Sequence, residues 1–175
     1  MKLALVFLVL SQLMLGQATA QNRVAYSHKV KVATYPVFGK STRELEKGMH
    51  TNGPISHLGK RHYAYTLWQF RIGRNRFNII PETSKATDFV CKVSVNLPAA
   101  QIKIGDLSKK WDKFLTALIA HENIHVKQAI RLCNILKGAK VKPSRLQSFS
   151  KRLRLRDQKL DKDSQHGKLS GVSLN

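Results

Sequence analysis

At 175 residues the chain is long enough for one domain with a single core. Lysine and arginine total 31 against 10 acidic residues, a net charge of +21. That balance excludes an acid-rich surface and predicts attraction to acidic envelope lipids, polyanionic wall polymers or nucleic acid. After the first twenty residues no segment is apolar and long enough for a transmembrane helix.

The first twenty residues read as a secretory signal. Lys2 gives a positive start, residues 3–15 are almost continuously apolar, and Ala18-Thr19-Ala20 fits a small-residue cleavage site. Gln21 stands where a lipoprotein would need a cysteine. The expectation is an exported protein, periplasmic or secreted, with one domain over 21–175 and an ordered core over about 28–167. Removal of 1–20 takes Lys2 alone among the charged residues, leaving 30 cations against 10 acids, or +20.

Residues 28–35 alternate Val30 and Val32 with Lys29 and Lys31, which predicts a half-buried strand. Gly39 breaks it. Ser41-Thr42-Arg43-Glu44 is a capping box, so a short helix should run to about Met49 and stop at Asn52-Gly53-Pro54. Residues 62–72, rich in Tyr, Trp, Phe and Thr, predict a second strand, and 74–87 a loop or irregular hairpin. A third strand places Phe89, Cys91, Val93, Val95 and Leu97 on one face and should stop at Pro98. A short further strand is expected over 101–104.

From 107 to 136 the period becomes helical, with Trp111, Leu115, Leu118, Ala129, Cys133 and Leu136 on one stripe. Asp106 or Ser108 should cap its start, and Gly138 its end. Pro143-Ser144 opens another helix, with Ser144 and Gln147 as a capping box. Its stripe is Leu146, Phe149, Leu153 and Leu160, and its other faces carry Lys151, Arg152, Arg154, Arg156 and Lys159. The last dozen residues read as a polar tail. The only cysteines, Cys91 and Cys133, predict a disulfide in an oxidising compartment. It would close a loop of about 43 residues, worth about 4 kcal/mol in the chain-entropy picture, and tie the long helix to the third strand.

Inside the long helix lies His121-Glu122-Asn123-Ile124-His125. Four residues turn a helix by about 400°, so the two imidazoles stack on one face. That spacing lets both bind one Zn²⁺, with Glu122 beside it as a general base for metal-activated water. A catalytic zinc site needs a third protein ligand, and spacing alone leaves Asp157, Asp161, Asp163 and His166 open. Oxyanion donors would come from Tyr63, Tyr65, His57 or His62.

With these residues in view, the chain resembles a bacterial domain-of-unknown-function family described as predicted secreted zinc-dependent proteases. The resemblance runs through Tyr35, residues 39–45, Gly53-Pro54, 64–68, Cys91, Trp111 and the 121–125 motif. It ends in Leu160-Asp161, Ser164-Gln165-His166-Gly167 and Gly171. The family has an aromatic where Leu160 stands and a threonine where Ser164 stands. The resemblance implies His166 as the third ligand. It also implies a zincin-like α+β fold, here a small antiparallel sheet on the motif helix plus a C-terminal helix. The expected function is a secreted zinc metalloprotease acting on a peptide or protein substrate. The alternative is a cationic protein binding envelope or other polyanions, with zinc structural or absent. Nucleic acid is the less favoured polyanion, because the basic helix lacks stacking aromatics.

Overall fold

The computed structural model describes residues 30–56, 58–72, 89–100, 106–136 and 143–174. The signal segment, the 74–87 loop, the strand expected over 101–104, Gly138 and His57 lie outside them. The elements are β1 (Val30–Val37), α1 (Thr42–Asn52), β2 (Tyr65–Ile72), β3 (Phe89–Ala100), α2 (Asp106–Leu136) and α3 (Pro143–Asp163). A 3₁₀ turn follows at Lys168–Ser170. The fold is α+β.

The sheet has the order β1-β3-β2 and is mixed, not wholly antiparallel. β2 runs antiparallel to β3, with Thr66 opposite Val95 and Trp68 opposite Val93. β1 runs parallel to β3, with Val30 opposite Val93. Between them the chain passes through α1 and β2, the long crossover that parallel strands need. Pro98 does not end β3, which continues to Ala100. β2 pairs only as far as Asn96, so beyond it β3 is bonded on one side alone. A residue without an N–H is tolerated in such a position.

One face of the sheet carries Val93, Val95 and Leu97, all buried, and Tyr35 and Val37 near the end of β1, which the register turns to the other side, are buried as well. Leu45 and Met49 of α1 join them, one helical turn apart. Ser41 caps α1 as its sequence predicts, its Oγ accepting from the Glu44 N–H at 3.2 Å. The Glu44 carboxylate reaches back to the N–H of Lys40 rather than to that of Ser41.

α2 lies across this face and buries Trp111, Phe114, Leu115, Leu118, Val126 and Ala129. Cys91 and Cys133 are disulfide-bonded, with Cα atoms 6.0 Å apart, fastening β3 to α2. α3 begins at Pro143, where a missing N–H is harmless, so Ser144 lies inside the first turn instead of capping it. Of its predicted stripe Leu153 is buried, and Phe149 lies under the guanidinium groups of Arg145 and Arg152.

The tail is not merely polar. After Gly167 it turns back and inserts Val172 and Leu174 into the core, 2% and 1% exposed. Gly167 takes φ 84°, and a Cβ there would come within 2.6 Å of Val172 Cγ2 and 3.2 Å of His121 Cγ. No helix among the described residues is long and apolar enough to cross a membrane. Replacing Leu174 by Ala should cost about 2–4 kcal/mol, as expected for a buried leucine. Chemical denaturation checks this, and a loss below about 0.5 kcal/mol would remove the tail from the core.

Candidate metal centre

His121, Glu122 and His125 occupy one turn of α2, and each is 5% exposed. Three ionisable side chains so buried demand partners, because an unpaired polar group in the interior costs kilocalories. The helix cannot supply them, so they come from β2 and α3.

α3 supplies two carboxylates four residues apart, matching the spacing of the two histidines. Oδ1 of Asp161 lies 3.1 Å from Nε2 of His121 and 3.1 Å from Nε2 of His125. Asp157 Oδ1 lies 2.9 Å from Nδ1 of His125, the nitrogen on the other side of that ring. The other oxygen of Asp157 accepts from the indole N–H of Trp68 at 2.8 Å. From the same face of β2, two residues before, Thr66 donates its hydroxyl to Glu122 Oε2 at 2.6 Å. One strand therefore positions the carboxylate of the helix and, through Asp157, one of its imidazoles.

The charges follow from these contacts. Burial opposes an imidazolium at His125, but hydrogen bonds to Asp157 and Asp161 and the charge of Glu122 outweigh it and raise its pKa to about 10. Burial also acts against charge on Asp161, yet the two histidines hold its carboxyl well below the usual carboxylate range. Burial raises the Glu122 pKa, against the Thr66 hydroxyl and both histidines, which favour the anion.

His121, His125 and Asp161 present ligand atoms within 4.8 Å of one another. His166 stands outside this cluster. Its Nδ1 is 3.9 Å from Asp161 Oδ2, and its side chain is 67% exposed. It follows Gln165 in the left-handed region, at φ 55° after 50°. Asp157 faces the outer nitrogen of His125, the place of an orienting carboxylate. Asp163 pairs with Lys159 on the surface at 2.7 Å. Among the oxyanion candidates, Tyr63 directs its hydroxyl to Nε2 of His50 at 3.1 Å. Tyr65 lines a cavity of about 500 Å³ with Lys31, Leu67 and Asn96. His62 lies beside His166, with ring centroids 5.7 Å apart.

The geometry thus defines an α+β protein whose long helix carries a buried His-Glu-His turn closed by aspartates of the following helix. The family model described as bacterial protein of unknown function (DUF922) matches residues 32–167, and the chain belongs to that family. The matched stretch includes every residue of the cluster. No curated protein and no solved structure matches the chain.

Asp157→Asn should weaken divalent-metal affinity by about 10–100-fold, the usual effect of losing an orienting partner. Competition with a chromophoric chelator measures it, and an unchanged affinity would deny Asp157 that role. The raised His125 pKa also sets a pH dependence. A group whose folded pKa lies above its unfolded 6.5 stabilises fully below pH 6.5, and that contribution is lost as pH rises towards 10. The melting temperature of chelator-treated protein should therefore fall between pH 6.5 and 10, and less so in Asp157→Asn.

Proposed function

We propose that this protein is an exported zinc-dependent hydrolase of zincin-like type, acting as a peptidase on peptide or protein substrates. The observation that supports it most is Glu122. A pure storage site has no use for a buried carboxylate beside two imidazoles, whereas a hydrolase needs a base at that position.

Two imidazole nitrogens and a carboxylate oxygen form a donor set that suits zinc. His121 and His125 would hold it through Nε2, with Asp161 as the third ligand that the geometry favours. His166, the ligand implied by the family resemblance, flanks it. Zinc so held supplies a Lewis acid that polarises a carbonyl and acidifies water. The rest of the chemistry belongs to the chain. Glu122 takes the proton of the attacking water and returns it to the leaving amine. Thr66 keeps that carboxylate in place, and Asp157 keeps the Nδ1 proton of His125, leaving Nε2 free for the metal.

A polyanion-binding role draws on the exposed Lys151, Arg152, Arg154, Arg156 and Lys159 of α3. It is the weaker reading, because Phe149, the only aromatic on that helix, is covered by Arg145 and Arg152.

Purified protein should carry one zinc per chain. Glu122→Gln should keep the zinc and lose about 10²–10⁴-fold in peptide hydrolysis, the scale of general-base catalysis. Full activity in that variant would refute the assignment of the base. Asp161→Ala and His166→Ala separate the two third-ligand candidates. The true ligand is the one whose loss lowers zinc affinity by at least about 100-fold.

A further inference from the structure

The loop between α1 and β2 is held by backbone contacts. The Gly53 N–H closes α1 on the Met49 carbonyl at 2.8 Å, and the His62 N–H donates to the Pro54 carbonyl at 3.0 Å. Arg61 donates from Nη1 to the Gly53 carbonyl at 2.8 Å, and Ile55 bridges to Arg61. The two ends of the loop approach so closely that a Cβ on Gly53 would lie 2.2 Å from the His62 carbonyl oxygen. Only glycine fits there, so the backbone of His62 is fixed independently of its side chain.

That backbone presents a half-buried imidazole at the edge of the candidate centre. The ring packs against Tyr65 on one side and meets His166 edge-on at 5.7 Å on another. His166 in turn lies 3.9 Å from Asp161 Oδ2. Among the described residues neither ring nitrogen of His62 has a hydrogen-bond partner. The other nearby donors differ in this respect. The Tyr63 hydroxyl meets His50, the Thr66 hydroxyl is given to Glu122, and the Trp68 N–H is given to Asp157.

We infer that His62 is a further catalytic residue, donating a ring N–H to the scissile carbonyl oxygen as that oxygen becomes anionic. The inference rests on the hydrolase reading above. As the oxygen of water bonds to the carbonyl carbon, the C=O π pair moves onto oxygen, and the water proton goes to Glu122. As the C–N bond then breaks, its electron pair and the proton from Glu122 go to the amine, and the π bond re-forms. His62 loses no proton in either step. It stabilises charge that exists only between them, so it acts on kcat more than on KM.

The test uses the zinc-loaded full mature protein. His62→Ala and His62→Gln are compared with wild type for zinc content, melting temperature, and kcat and KM on a peptide the wild type cleaves. Affinity for a phosphinic peptide, whose anionic oxygens mimic the developing charge, is measured as well. The expected result is unchanged zinc and a melting temperature within a few degrees. His62→Ala should lose about 10²–10³-fold in kcat, the cost of one oxyanion donor, and at least about tenfold in phosphinate affinity. His62→Gln, which keeps an N–H donor, should recover part of both. A kcat and a phosphinate affinity within threefold of wild type in His62→Ala overturn the role of His62 alone. A wild-type protein that holds zinc but neither cleaves peptides nor binds the phosphinate overturns the hydrolase reading, and His62 with it.

Discussion

Burying two imidazoles and a carboxylate in one turn of a helix is the constraint that organises this molecule. Each would lose its hydration and gain nothing from its own helix, whose backbone groups are already paired. The partners must arrive from elsewhere and must fit. Asp161 answers both histidines with one oxygen, and Thr66 answers Glu122. α3 and β2 are thus held to α2 by polar contacts whose loss would strand buried charge, the costly way to break such a network.

The sheet serves that constraint through its alternation. In β2 the residues facing α2 are Thr66 and Trp68, one step of the pleat apart, and both end in hydrogen bonds to the cluster. The register of β2 on β3 places them opposite Val95 and Val93, which are core residues. A one-residue slip would turn both away from the helix. The disulfide between Cys91 and Cys133 fixes the same two layers at another point, behind the histidines.

Much of this was legible in the sequence because it obeys short periods. The His-Glu-His spacing, the apolar stripe of α2, the Ser41 cap and the pairing of the two cysteines are local patterns or a matter of count, and the structure follows them. The parallel pairing of β1 was hidden, because an alternating strand carries no mark of its partner's direction. Pro98 misled because its cost depends on whether β2 reaches that far. Val172 and Leu174 are two apolar residues among polar ones, too few to show a period. In the centre, Asp157 and Asp161 were visible as candidates, but spacing could not separate an orienting carboxylate from one that faces both Nε2 atoms. The signal that could have done so is their four-residue interval, which matches that of the histidines. Thr66 and Trp68 looked like ordinary strand residues, since nothing in β2 announces what faces it.

The hydrogen bond from Trp68 to Asp157 joins residues 89 positions apart. The centre therefore has no local precursor: its histidines precede its carboxylates by more than thirty positions in the growing chain. In a protein threaded unfolded through a membrane pore, such a site comes into being only where α3 docks. Any ion bound at such a site would then be selected by the metal content of the compartment of folding, and not by that of the compartment of synthesis.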